Sequence, residues 1–268
     1  MEAQTMTATG TTSGDRAFLR AMPAEVRADW ESLGVPTPVP ARFDPDLAAD
    51  LPEPVRRWLR RAVGPGTALR SAVELRMRGE IKLGSWRPFT AVQRMTAEGL
   101  VWAARLRVAG LPVAGFDRYT RGSGEMRWRL LRLVPLVSAS DADVTRSAAG
   151  RLAAEQLVVI PATALRADVA WRPGTGDSAT ALVPAGGWVH EVTVRVGPSG
   201  ALTGIEMDRY GDPGGGFGVH RFGAVLEGAL RTGGFEIPRR VVAGWFPGTD
   251  RWADGEFIRY TVDAAIFR

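Results

Sequence analysis

The amino-acid sequence predicts a mainly β (α+β) protein, in which a strongly curled antiparallel sheet or incomplete barrel is plugged by an internal helix. Apolar and polar residues alternate with a period of two over much of the chain after residue 73. The connections between these segments are short, which favours antiparallel pairing, because parallel strands need long crossovers. One Ala- and Leu-rich segment interrupts the alternation and indicates the internal helix. An N-terminal helical arm is expected to precede the sheet.

The first 50 residues are expected to form a tail and an arm. Residues 1–14 are polar and rich in Thr and Gly, which predicts a disordered tail. They also lack the basic start and apolar run of a secretory signal, so we expect a cytoplasmic protein. Residues 15–50 are predicted to form a helical arm and a Pro-rich connector. Within the arm, Val26, Trp30 and Leu33 share one face at helical spacing.

Residues 51–268 are predicted to form a single β-rich domain. It begins with a short amphipathic helix over about 53–63, which Gly64-Pro-Gly66 ends. The alternation then starts at Val73. Further strands are predicted near residues 89–95, 100–108, 126–130, 188–196, 205–209, 218–230, 235–246 and 256–267.

The internal helix is predicted over residues 143–160. Asp141 or Asp143 is placed to cap its first turn, and Pro161 ends it. A lone apolar helix among strands is suited to covering the open face of a curled sheet, whose side chains would otherwise meet water.

Composition limits the chemistry. The chain of 268 residues is 45% hydrophobic and 24% charged, which is enough apolar content for a sizeable core. It contains no Cys and only two His, so a disulfide, a thiolate site or a multi-histidine metal centre is not expected. We therefore predict no metal and no cofactor.

The charge pattern limits the partners. The net charge is +5, but the basic residues form no single run, so no nucleic-acid partner is expected. No uncharged apolar run reaches the roughly 18 residues that span a bilayer, so we expect no stable membrane insertion. The sequence carries no indication of a protein partner or an oligomeric state.

Six segments carry a resemblance to a known family. They are LPEPVRRWL (51–59), GSWRPFTAVQ (84–93), LVWAAR (100–105), DRYTRGSGEM (117–126), RLAAEQLVVIPATAL (151–165) and EIPRRVVAGWFPG (236–248). Together they resemble a widespread bacterial family known as a domain of unknown function, over about residues 51–268. The order of elements is also similar to that of the lipoprotein-carrier class, in which the concave face of a curled sheet holds acyl chains.

Glu155 is the first candidate for acid–base chemistry. Arg151 and Glu155 lie four residues apart on the predicted helix, so both project from one face. In one interpretation Glu155 is a buried acid with a raised pKa that exchanges a proton with a ligand. In the other, which we favour, it forms a salt bridge with Arg151 that ties the helix to the sheet.

Asp117 and His190 are the other acid–base candidates. Asp117 precedes a glycine-bearing segment without phosphate-loop spacing, and we expect an ordinary turn in which it binds nearby backbone amides. His190 lies on the apolar face of the strand 188–196. It either pairs with an acid such as Glu155 in a cavity or is a satisfied core residue.

Four tryptophans on strand faces are candidates for ligand binding. Either they line a pocket for a bulky apolar ligand, together with Arg151, or they belong to an ordinary core. They are Trp102, Trp128, Trp188 and Trp245.

Three functions follow from these patterns. The leading hypothesis is binding of a hydrophobic small molecule, such as an acyl lipid or isoprenoid, between sheet and helix. The alternative is a cofactor-free cyclase or isomerase for a polyketide- or terpenoid-like substrate in the same cavity. The third is an interaction module acting through residues 15–63. A cavity that contains a polar cluster would favour the enzyme. A wholly apolar cavity would favour the binder of a hydrophobic molecule, and a filled core would favour the interaction module.

Overall fold

The computed structural model of the chain describes residues 18–20, 22–35 and 41–268. The predicted disordered tail and residues 36–40 of the predicted connector lie outside this part of the chain. All structural statements below concern the described residues.

The three predicted helices are present near their predicted bounds, whereas the shorter helices were not predicted. Helix α3 (Ala142–Val159) is capped by Asp141, whose side chain accepts a hydrogen bond of 2.8 Å from the backbone N–H of Val144. It ends just before Pro161. Two short 3-10 helices cover Pro45–Ala48 and Pro161–Leu165. The main α-helices are α1 (Ala24–Ser32), α2 (Glu53–Ala62), α3 (Ala142–Val159) and the single-turn α4 (Trp252–Gly255).

Thirteen strands form one antiparallel sheet in the described chain. Along the chain, the strands are β1 (Val73–Leu83), β2 (Ser85–Met95), β3 (Leu100–Val108), β4 (Leu111–Thr120), β5 (Ser123–Leu130), β6 (Val134–Ala139), β7 (Ala170–Pro173), β8 (Ser178–Ala185), β9 (Trp188–Val196), β10 (Leu202–Gly211), β11 (Gly218–Glu227), β12 (Leu230–Thr232), β13 (Phe235–Ile237), β14 (Arg240–Trp245) and β15 (Glu256–Phe267). The order in the thirteen-stranded sheet is β6-β5-β4-β3-β2-β1-β15-β14-β11-β10-β9-β8-β7, and β12 and β13 form a separate hairpin.

Helix α3 plugs the sheet. Strands β6 and β7 are the two open edges of the sheet, and α3 lies in the segment of chain that connects them. The helix packs on strands from both halves, including β4, β5, β8, β9 and β10. The sheet therefore curls around the helix, which confirms the predicted architecture of an open, curled antiparallel sheet with an internal helix.

The arm packs on the opposite, convex face. Trp30 of α1 is buried in a separate apolar cluster with Val101 of β3 and Phe116 of β4. Beneath the helix, Arg94 donates a hydrogen bond of 2.7 Å to the carbonyl oxygen of Trp30 and forms a 2.5 Å ion pair with Glu74. Helix α1 is thus fixed to the outside of the sheet by both apolar and polar contacts. None of the described helices is long and apolar enough to cross a membrane.

The turn predicted at Asp117 is wrong. Asp117 lies inside β4, and the chain reverses only at Arg121 and Gly122. Strands β4, β6, β7 and β8 were absent from the predicted set, and β4 has the largest consequence because it carries a candidate site residue.

Candidate functional site

Two adjoining cavities lie between the concave face of the sheet and α3. The inner cavity has a volume of about 190 Å³ and the outer cavity a volume of about 790 Å³. The inner cavity is lined mainly by apolar side chains of the strands opposite the helix, among them Met77, Ile205, Phe222, Leu226 and Val241. The sheet therefore encloses an apolar space that its own side chains do not fill.

The outer cavity reaches the surface. Its lining includes Leu83, Leu136, Val137 and Phe217, four large apolar side chains that are themselves exposed. An opening bordered by exposed apolar groups is typical of a site that receives a partly apolar molecule.

The wall shared by the two cavities is the polar part of the site. It combines apolar and aromatic side chains with three charged groups. The residues that line both cavities are Ile81, Trp102, Asp117, Met126, Arg151, Arg209 and Phe257.

Strand register places part of this wall in one row. Gln93 of β2 is paired with Trp102 of β3, Trp102 with Asp117 of β4, and Asp117 with Met126 of β5. Directly paired residues share a face of the sheet, so these four side chains project together toward α3.

Arg151 joins the helix to this row. Its Nε donates to Glu155 at 2.6 Å, and its Nη1 donates to Asp117 at 3.2 Å. The predicted pair of Arg151 and Glu155 is therefore present, and Asp117 adds the contact to the sheet. We call Asp117, Arg151 and Glu155 the ion cluster.

Each carboxylate of the ion cluster has a second donor. Gln93 Nε2 donates to Glu155 Oε2 at 2.8 Å, and Trp128 Nε1 donates to Asp117 Oδ1 at 3.0 Å. The Trp128 ring lies against Gly115, where a Cβ atom would come within 2.4 Å of Trp128 Cδ2, so the missing side chain makes room for it. All four carboxylate oxygens thus accept a bond from a protein side chain.

Burial and charge act in opposite directions in this cluster. Burial raises the pKa of Asp117 above its ordinary value, and the charge of Arg151 and the hydrogen bond from Trp128 oppose this only in part. Burial alone lowers the pKa of Arg151, but the charges of Glu155 and Asp117 outweigh it and leave that pKa raised. Burial also raises the pKa of Tyr260, with Glu155 as the next cause. At neutral pH Arg151 is a cation and Tyr260 a neutral phenol.

Most of the predicted site residues line the cavities. Six of the eight do so: Trp102, Asp117, Trp128, Arg151, Glu155 and Trp245. Asp117 makes its side-chain bonds with Arg151 and Trp128, so the expected bonding to nearby backbone amides is wrong.

His190 and Trp188 lie outside these linings. The Nε2 atom of His190 is 3.3 Å from the carbonyl oxygen of Ala185, so the alternative in which His190 pairs with Glu155 is wrong. Burial lowers the pKa of His190, and the charges of Arg146 and Arg209 lower it further. Trp188 is 39% exposed at the start of β9, beside Arg146.

Three polar residues that line the inner cavity were not predicted: Gln93, Arg209 and Tyr260. The first two carry a signal in the sequence, because each occupies an inward position in an alternating apolar strand. Arg209 follows Ile205 and Met207 on the same face of β10. A polar residue at such a position indicates a polar partner inside the sheet.

Comparison with known proteins identifies a family. A family model described as a family of unknown function, DUF6544, matches residues 41–257. No curated protein matches the chain.

Several solved structures are similar in shape. One is a domain from Vibrio parahaemolyticus described as an outer membrane lipoprotein-sorting protein, with a TM-score of 0.41, 7% identity, and coverage of 74% of this chain and 86% of that chain. A LolA superfamily protein from Nitrosomonas europaea has a TM-score of 0.35, 10% identity, and coverage of 80% and 92%. A DUF1329 family protein from Desulfovibrio piger has a TM-score of 0.33, 10% identity, and coverage of 83% and 91%. At these TM-scores the likeness is too loose to transfer any property to this chain.

Proposed function

This chain belongs to the family of unknown function DUF6544, and from its cavity we propose that the protein binds a hydrophobic small molecule, such as an acyl lipid or isoprenoid, between the curled sheet and α3. The observation that carries the proposal is the outer cavity of about 790 Å³, which is lined mainly by apolar side chains and opens to the surface. Small-molecule sites typically measure about 300–1,000 Å³ and combine an apolar lining with a few polar groups.

A polar cluster inside the cavity is what the enzyme alternative requires. The hydrogen bonds within the ion cluster nevertheless favour the binder. A general acid or base must have a carboxylate oxygen that reaches the ligand proton. Here each oxygen of Asp117 and Glu155 accepts a bond from Arg151, Trp128 or Gln93. A saturated cluster of this kind fixes the helix to the sheet and holds the cavity in shape.

A second candidate function is a cofactor-free cyclase or isomerase. One observation supports it: Asp117 faces both cavities, and burial raises its pKa above the ordinary value, which is the direction expected for a catalytic acid. An Asp117→Asn protein that binds a substrate but does not convert it would favour this candidate.

The proposed binding can be tested by filling the cavity. Ala148 of α3 lines the outer cavity, whereas Ala142 lies exposed at the start of the same helix. Binding of N-phenyl-1-naphthylamine, a neutral apolar fluorophore, is measured with excitation outside the Trp absorption band. We expect saturable binding to the wild type and to Ala142→Trp, and at least about tenfold weaker binding to Ala148→Trp. Equal affinity in all three proteins, or no binding to the wild type, would contradict the proposal.

A further inference from the structure

We propose that Arg209 is the anion-binding group of this cavity, and that the ligand is therefore an amphipathic molecule with an acidic head group, a carboxylate or a phosphate. This inference rests on the proposed function, because it assigns the head group of the same ligand.

The position of Arg209 directs it at the ligand. It lies on the inner face of β10, the residue is only 9% exposed, and it lines both cavities. Arg209 therefore belongs to the wall at which the inner and outer cavities meet. A ligand that passes from the mouth into the inner cavity passes this group.

The hydrogen-bonding capacity of Arg209 is mostly unused. Its Nη2 has two weak neutral acceptors on α3, the carbonyl oxygen of Ser147 at 3.3 Å and the Ser147 hydroxyl at 3.5 Å. Its Nε is buried and has no partner. A guanidinium has five N–H donors, so most of them remain free. Among the described residues no carboxylate forms an ion pair with Arg209, whereas the nearby Arg151 forms ion pairs with two carboxylates.

Neighbouring side chains hold the guanidinium in place without replacing an anion. It lies over the rings of Phe222 and Trp245, with distances of 4.8 Å and 5.5 Å from its central carbon to the ring centroids. Ring faces attract a cation but accept no in-plane N–H bonds. The aliphatic stem passes close to α3 at Gly150, where an added Cβ atom would stand 3.3 Å from Arg209 Cγ. Apart from Ser147, no described protein group bonds the guanidinium in its plane. A bidentate acceptor would bond it in that plane, the geometry in which Arg binds carboxylate and phosphate.

The charges around Arg209 also call for an anion. Burial and the neighbouring charge of Arg151 lower its pKa to about 10, so it stays protonated at neutral pH. Asp117 and Glu155 attract it from a distance, but both are bonded to Arg151. His190, which also approaches it, is held toward its neutral form. A buried cation without a bonded counter-charge is costly, and a ligand anion would supply that counter-charge.

The test compares three ligands of equal chain length: dodecanoate, dodecyl phosphate and dodecanol. The two anions are used below their micelle concentrations and dodecanol below its solubility limit. Their affinities are measured by calorimetry at neutral pH for the wild type, Arg209→Met and Arg209→Lys. Arg221→Met is the matched control, since Arg221 on the neighbouring strand is 45% exposed and pairs with Glu206 at 2.7 Å. The Arg221→Met substitution removes one positive charge, as Arg209→Met does, but from a side chain outside the cavity.

We expect at least one anion to bind the wild type and Arg221→Met about tenfold or more tightly than dodecanol. Arg209→Met should lose that preference and still bind dodecanol, and Arg209→Lys should retain part of it. The tighter of the two anions identifies the head group. Equal affinities for all three ligands in the wild type, or an unchanged preference in Arg209→Met, would overturn the role of Arg209 but not the proposed function. A wild type that binds none of the three would overturn the proposed function as well.

Discussion

Gly150 of α3 lies directly against Arg209 of β10: a Cβ atom on Gly150 would stand 3.3 Å from Arg209 Cγ. A glycine within a helix is less favourable than Ala by about 1 kcal/mol. Its presence here is explained by the close approach of the helix to the inward-pointing arginine. The contact therefore links the local sequence of the helix to the shape of the cavity.

Gly150→Leu is expected to lower the free energy of unfolding by about 1–3 kcal/mol, because the added side chain must displace α3 or Arg209. The same change should weaken any preference for an acidic ligand. Ala142→Leu, at the exposed start of the same helix, should stay within about 0.5 kcal/mol of the wild type. Urea denaturation measures both, and a Gly150→Leu protein as stable as the wild type would show that this contact is unimportant.

Trp30→Ala is expected to destabilise the protein by about 3–5 kcal/mol, since it empties the apolar cluster under α1 and exposes the buried Arg94. Glu25→Ala, on the exposed side of the helix, should change stability by less than about 0.5 kcal/mol. Chemical denaturation checks both variants. If removing Trp30 left stability unchanged, the arm would not be held on the sheet.

Glu155→Gln is expected to destabilise the protein by about 1–3 kcal/mol, because Arg151 loses one of its two partly buried counter-charges. Glu53→Gln breaks another Arg–Glu pair four residues apart, with Arg57, in which Glu53 is 55% exposed. That control should change stability by less than about 0.5 kcal/mol. Ligand affinity should be nearly unchanged in both. A fully stable Glu155→Gln protein that has lost a catalytic turnover would instead establish Glu155 as a catalytic acid.

Asp117→Asn is expected to change how stability depends on pH. Because folding raises the pKa of Asp117, the folded protein holds this proton more tightly than the unfolded chain does. The resulting stabilisation is complete below the ordinary pKa of 3.8 and is lost as pH rises through the folded-state pKa. The Asn variant should therefore gain stability relative to the wild type as pH increases from about 3 to 7, as measured by urea unfolding. A relative loss over that range would mean that the pairing with Arg151 outweighs burial.

The sequence predicts elements whose pattern is local. Strands such as β9 and β10 have one buried face, so their alternation is visible in the sequence. The composition of α3 and its Asp141 cap define the helix. Strand β4 was missed because Pro112 and Gly115 interrupt its pattern. Strand β6 was missed because its residues are nearly all exposed, which removes the contrast between faces.

The site is less predictable because its contacts are not local. Helical spacing brings Arg151 and Glu155 together, and that pair was predicted. The contacts of Asp117 with α3 depend on the register of β4 and on the curl of the sheet. Arg209 reaches the same wall from a strand in the other half of the sheet. No local pattern contains this information, although an arginine on an apolar strand face signals that such a partner exists.

The most direct test of cavity binding is native mass spectrometry of the intact protein after incubation with a small excess of dodecanol and dodecanoate. We expect the wild type to carry one bound small molecule, either co-purified or added, that is released on denaturation. Ala148→Trp, with its outer cavity filled, should appear as bare protein under the same conditions. A wild type that remains bare, or an Ala148→Trp protein that carries the same molecule to the same extent, would contradict binding in this cavity.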